Sequence, residues 1–339
     1  MFQTIVKIFL LVIITAAITP FIRKLAFVLG AVDNPNARRI NKKPMPTIGG
    51  LAIFVAFNIG EFVLLRKDFP THELFSVLLA SSVIILTGLI DDILELKPRQ
   101  KMFGIFVASL VVYFLAGIKV RELSLPFLGH IQLGWWSFPL TIFWILALTN
   151  AVNLIDGLDG LATGVTLISL VTMGIVGFFF LKSWQHYVPI MCIMLAACLL
   201  GFLPYNFHPA KIFLGDTGAL YIGFMISVLS LKGLKNVTFV SLLVPILILG
   251  VPITDTVYAM IRRKLNKKNI SQADKHHLHH QLMRMGLSHR QTVLAIYGIS
   301  LIFSFVSLLS LVSPRWGIWL LILGLLFAVE LFVETIGLL

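Results

Sequence analysis

Long apolar runs limit what this chain can fold into more than any motif does. Crossing the hydrocarbon of a bilayer as a helix takes about 20 predominantly apolar residues. Segments that approach or meet this length recur at 4–22, 47–65, 74–90, 103–118, 135–149, 163–181, 187–203, 212–230, 237–258, 292–312 and 316–333. The runs are continuous rather than alternating, which is the period of spanning helices and not of barrel strands. Composition agrees: 58% of the 339 residues are hydrophobic and only 12% are charged, against about 25% charged in a soluble domain. The chain is therefore expected to be an all-α polytopic integral membrane protein, a single multi-span domain over 1–339 with about eleven transmembrane helices. Met1 to Gly30 lacks a cleavage site followed by a polar domain and reads as a retained first span. Cys192 and Cys198 lie inside one apolar segment and read as packing residues, without a disulfide framework or thiolate metal site.

Charge orders the connectors. The odd joints, at 23–46, 91–102, 150–162, 204–217 and 259–291, hold 18 of the 27 Lys and Arg residues. The positive-inside rule then places all five in the cytoplasm, the N-terminus outside and the C-terminus inside. The formal charge of +12 is explained by orientation against an anionic inner leaflet, so no nucleic-acid partner is expected. The even joints, including 119–134 and 181–187, read as plain outward connectors, with Trp135, Trp136 and Trp184 as interfacial anchors.

The chemistry-bearing residues fall on the odd joints. In the first, Arg38, Arg39, Lys42 and Lys43 stand beside Pro44, Pro46, Gly49 and Gly50, a composition suited to holding phosphate. In the second, Asp91 and Asp92 end an apolar run. Adjacent helical side chains diverge by about 100°, so two jobs are expected of them rather than one. Lys101 opens the next span as a phosphate contact. The third joint, NAVNLIDGLDGLATG, puts Asn150, Asn153 and Asp156 at helical spacing before Asp159 and three glycines. Its hard oxygen donors suit Mg²⁺. In the fourth, GDTG offers Asp216 as a one-carboxylate Mg²⁺ ligand or a plain helix cap, with Asn206, His208 and Lys211 near the approach. The fifth carries Asp274, Lys275, His276, His277, His279, His280 and Arg284. Adjacent histidines diverge too much for an easy zinc site, and Arg284 suits bidentate phosphate contacts.

A channel or secondary transporter would place polar groups through the bilayer or at mid-depth. Here the span interiors are apolar apart from acids such as Glu61, Asp255 and Glu330. Phosphoryl transfer at the inner face is the simpler account, with a cation-coupled carrier as the lesser alternative.

With NAVNLIDGLDGLATG, LTGLIDD, FLGDTGALYIGF and DKHHLHHQLMRMG all present, residues 15–290 closely resemble the polyprenyl-phosphate N-acetylhexosamine-1-phosphate transferases of glycosyltransferase family 4 type. The resemblance implies Mg²⁺-dependent transfer, with Mn²⁺ as a substitute, of a sugar 1-phosphate from a UDP-sugar to undecaprenyl phosphate with release of UMP. It implies that Asp91 and Asp92 are the essential acidic pair and that Asp156 and Asp159 belong to the catalytic motif near the nucleotide sugar. It further implies Asn153 and Asp216 as Mg²⁺ ligands, and Lys101, His277, His279 and His280 as substrate-binding groups, to which helical spacing adds Asn150 and phosphate chemistry adds Arg284. Three consecutive histidines after a proline would mark the phospho-MurNAc-pentapeptide transferases of peptidoglycan synthesis. The DKHHLHH arrangement departs from that and resembles the GlcNAc-1-phosphate branch that begins teichoic-acid linkage units or O-antigen-type lipopolysaccharide glycans. Expected partners are UDP-GlcNAc, undecaprenyl phosphate and membrane lipids, at a bacterial plasma membrane, with a homodimer left open.

Overall fold

The computed structural model describes residues 2–33, 44–64, 70–125, 129–179, 187–233, 245–265 and 277–336. Its frame is helical: α1 (Phe2–Leu29), α2 (Gly50–Ile59, running into a π-helical turn at Gly60–Leu64), α3 (Thr71–Leu94), α4 (Pro98–Phe114), α5 (Ser137–Ile155) and α6 (Leu161–Phe179). These are followed by α7 (Tyr187–Asn206), α8 (Gly215–Gly233), α9 (Gly250–Leu265), α10 (Leu278–Arg284), α11 (His289–Val312) and α12 (Arg315–Ile336).

Each of the eleven expected apolar segments overlaps one of these helices. Seven helices among the described residues are long and apolar enough to cross a membrane: α1, α3, α5 with its preceding turn, α6, α7, α11 and α12. The helix at Gly50–Leu64 is shorter, α4 has 17 residues and α9 has 16. α8 carries Asp216 and Lys232 near its two ends. Length and composition thus mark seven candidate spans among the described residues.

α8 is the axis of the bundle. Every residue from Thr217 to Lys232 is buried, as expected of a helix apolar on all sides. It packs against α2, α3 and α5, while α6 pairs with α7 and α1 with α7. The opposite case is α12, only 11% buried across its apolar window, whose Trp316, Leu320 and Phe327 face outward.

Glycine permits close approach along the axis. A Cβ on Gly50 would lie 2.0 Å from the Gly218 Cα, and one on Gly88 would lie 2.5 Å from the Thr217 Cα. The N-terminal turn of α8 is thus pressed backbone to backbone against the starts and ends of α2 and α3. This corrects the phosphate-loop reading of Gly49 and Gly50. Their N–H groups donate to the Phe213 and Leu214 carbonyls at 3.1 and 3.0 Å, so they serve packing. Arg38, Arg39, Lys42 and Lys43 lie outside the described residues, as do Trp184, Asp274, Lys275 and His276.

Two short antiparallel pairs depart from a purely helical reading. Val32–Asp33 pairs with Met45–Pro46, and Glu122–Leu125 pairs with Gly129–Gln132 as a hairpin. The second falls in a joint read as a plain connector; its β-capable residues are too few to stand out between two spans. Trp135 and Trp136 follow in a turn and are 96% and 75% exposed. Cys192 and Cys198 are free and buried on α7, as expected of packing residues.

Candidate active site

The site is built at the end of α3. That helix stops at Glu95, whose φ of 51° is left-handed, and α4 restarts with Pro98 in its first turn, where a missing N–H costs nothing. Asp91 and Asp92 therefore stand at a helix C-terminus, an unfavourable place for a carboxylate. The tertiary structure resolves this. Asp92 Oδ1 accepts the Asp216 N–H at 3.0 Å, and its Oδ2 accepts the Thr217 N–H at 2.9 Å and the Thr217 hydroxyl at 2.6 Å. Asp92 is thus the N-terminal cap of α8, supplied from another helix, and its charge sits at the positive end of that helix dipole. The capping duty considered for Asp216 is taken over by Asp92, which leaves the Asp216 side chain to the cavity.

Asp91 does something else. Its Oδ1 accepts the Leu96 N–H at 2.7 Å, and its buried Oδ2 is 2.5 Å from Lys101 Nζ. Lys101 also donates to Asp216 Oδ1 at 2.7 Å, and the Asn153 amide donates to the same oxygen at 2.6 Å. One ammonium therefore bridges two acids that are far apart in sequence, and the acidic pair divides its labour as expected. Gly215, with φ of +72°, sets the turn into α8, and a Cβ there would lie 1.6 Å from the Thr47 carbonyl oxygen.

Asp91, Asp92, Lys101, Asn153, Asp156, Asp159 and Asp216 all line one cavity of about 960 Å³. Burial, then the negative charges of Asp216, Asp92 and Asp159, hold the Asp156 carboxyl well above the usual carboxylate range. The cavity thus carries more acid than its lysine neutralises. Carboxylate and amide oxygens in that excess are the donor set of a hard divalent cation, so the residues present fit Mg²⁺.

Five expected site residues do not line this cavity. Asn150 donates instead to the Leu146 carbonyl at 2.8 Å and faces Met102 Sδ at 2.9 Å. Arg284 is exposed and reaches Gln281 at 3.3 Å. His277, His279 and His280 approach from behind. Asp255 on α9 accepts from the Leu278 N–H at 2.8 Å, and its Oδ2 lies 2.8 Å from His277 Nδ1, which orients that ring. His279 then packs on Gly157, where a Cβ would come within 2.4 Å of its Nε2. His279 thus braces the α5–α6 turn, and Asp255, noted only as an acid inside a span, docks the segment through His277 and the Leu278 N–H.

Burial, then the neighbouring His280, pushes the His279 imidazole down from 6.5 to about 3. Its folded value lies below the unfolded one, so the unfolded chain takes up this proton first as pH falls. The contribution is intact above 6.5 and is lost between 6.5 and about 3. Between pH 7 and pH 5 in detergent, wild type should therefore lose more unfolding temperature, or gain less, than His279→Phe does. An identical pH slope in both proteins would refute it.

The sequence profile of Glycosyl transferase family 4 matches residues 74–234. A Bacillus subtilis protein described as "Probable undecaprenyl-phosphate N-acetylglucosaminyl 1-phosphate transferase" is 43% identical over 323 residues, 95% of this chain and 88% of that protein. A decaprenyl-phosphate N-acetylglucosaminephosphotransferase of Mycobacterium tuberculosis is 35% identical, covering 84% of this chain and 77% of its own. A phospho-N-acetylmuramoyl-pentapeptide-transferase of Clostridium botulinum is 32% identical, covering 86% and 90%.

Proposed function

This chain belongs to Glycosyl transferase family 4, and on that premise we propose that it transfers GlcNAc-1-phosphate from UDP-GlcNAc to undecaprenyl phosphate, releasing UMP. The observation that carries the reading is the convergence of Lys101 and Asn153 on Asp216, beside Asp91, in one cavity. The names of the Bacillus and Mycobacterium relatives support the sugar.

In this reading all eleven helical segments cross the membrane, and the five odd joints, with the cavity, face the cytoplasm of a bacterial plasma membrane. The lipid acceptor then enters from the surrounding bilayer and the nucleotide sugar from solution. Asp216 and Asn153 would hold Mg²⁺, with Mn²⁺ as a substitute, and the bound ion would neutralise the phosphates and stabilise charge on departing UMP.

The side chains do the rest. A phosphate monoester is already anionic near neutrality, its second pKa being about 6, so the lipid acceptor needs charge compensation more than a general base. Lys101 supplies it, held by Asp91 and Asp216. The acceptor oxygen attacks the sugar-proximal phosphorus directly as the bond to the UMP oxygen breaks. Direct attack is preferred to an Asp92 phosphoryl intermediate because both Asp92 oxygens are committed to the α8 N-terminus.

Purified protein in detergent should release UMP only when UDP-GlcNAc, undecaprenyl phosphate and Mg²⁺ are all supplied, and chelation by EDTA should stop it reversibly. UMP formed from UDP-MurNAc-pentapeptide in place of UDP-GlcNAc would assign the chain to the peptidoglycan reaction instead. Solute accumulation in sealed vesicles without UMP release would make it a carrier.

A further inference from the structure

Three side chains with metal-ligating atoms meet on the flank of the cavity, each from a different part of the chain. Asp159 is in the α5–α6 turn, His208 in the segment joining α7 to α8, and His289 opens α11. One ligating atom of each lies within 4.8 Å of the other two. His208 Nδ1 is 2.8 Å from Asp159 Oδ2, and the rings of His208 and His289 face each other at 4.1 Å and 20°. His289 Nε2 is buried and has no hydrogen-bond partner.

The surroundings hold these groups in place. The Ala210 N–H donates to Asp159 Oδ2 at 3.2 Å, and Arg290 Nε donates to the His208 carbonyl at 3.1 Å. Farther along α11, the Tyr297 hydroxyl donates to the Gly160 carbonyl at 2.5 Å. Three mutually distant elements are thus already docked around the cluster. The neutral imidazole ring is the form that binds metal.

The donor chemistry separates this cluster from the Asp216 side of the cavity. There, every candidate ligand is a hard oxygen; here, two are imidazole nitrogens. Nitrogen-rich sets of this kind select zinc-type cations over Mg²⁺. We propose that Asp159, His208 and His289 form a second metal site, for Zn²⁺ or a cation of its class, which clamps the α5–α6 turn to the start of α11. Three protein ligands leave a fourth position for water. Because Asp159 also lines the cavity, the clamp would fix one of its walls. The site does not depend on which sugar nucleotide the cavity takes.

The test uses the full-length chain in detergent, with Zn²⁺ as the only added metal, desalted before metal analysis. Wild type and Asp216→Ala should each retain about one zinc per chain. His208→Gln and His289→Gln should each lower that content at least about tenfold. X-ray absorption at the zinc edge of wild type reads the ligands without any substitution. The expected shell holds two imidazoles with oxygen at about 2.0–2.2 Å. The proposal is overturned by no retained zinc, by zinc lost in Asp216→Ala but kept in both histidine variants, or by a shell of oxygens only. Three or more imidazoles would also overturn it, moving the metal to His277, His279 and His280.

Discussion

Asp216→Ala should lower UMP release at least about a hundredfold, the scale on which metal sites respond to loss of supporting groups, while the protein still inserts and elutes as a folded species. Asp216 Oδ1 is the point where Lys101 and Asn153 converge. Its removal takes away a hard ligand and leaves the lysine bound to Asp91 alone. Asp92→Ala should also lose activity, by a different route. Two backbone N–H groups and a hydroxyl of α8 would lose their acceptor, and a lost cap alone costs about 0.5–2 kcal/mol. Both variants should lower the unfolding temperature, Asp92→Ala by removing the α8 cap and Asp216→Ala by leaving Lys101 and Asn153 without the oxygen they share. Near-normal turnover of Asp216→Ala with UDP-GlcNAc and undecaprenyl phosphate would remove the central assignment.

The second large effect is mechanical. Gly50→Ala would drive a methyl to 2.0 Å from the Gly218 Cα, and because the obstacle is backbone, no side chain can swing aside. Overpacking of this kind costs about 1–3 kcal/mol or more, so unfolding should fall by about 5 °C and activity should fall with it as α8 moves off Asp92. Gly298→Ala is the control. Nothing lies within 4 Å of its added Cβ, and in the middle of α11 alanine should be neutral or stabilising by up to about 1 kcal/mol. Equal unfolding temperatures for wild type and Gly50→Ala would mean that the α2–α8 contact is not the constraint it is taken to be.

How the site was legible in the sequence depended on the kind of information each residue carries. Asp91, Asp92, Lys101, Asn153, Asp156, Asp159 and Asp216 could be chosen from sequence because polar groups at the ends of apolar runs need a reason to be there. Asn150 was chosen on helical spacing alone, and it does not line the cavity. Asn150 and Asn153 are on the same helix, but one faces Met102 and the other Asp216. His289 was passed over as the edge of a basic joint, since nothing near it in sequence shows that α11 begins against Asp159. Gly49 and Gly50 were misassigned for a similar reason. A glycine that admits a ligand and one that admits another backbone look the same until the neighbour is known.

The amino-acid order by itself determined the helical membrane architecture, the positions of the polar joints and the chemical types that meet there. These follow from hydropathy, charge and short motifs, all of which act over a few turns of chain. Only the tertiary structure decided which acid does what. Asp92 caps a helix whose first residues follow it by more than a hundred positions, Asp255 docks His277, and Lys101 joins Asp91 to Asp216. Each of these is a hydrogen bond or ion pair between distant segments, and its partner is set by how the helices pack rather than by anything written beside it.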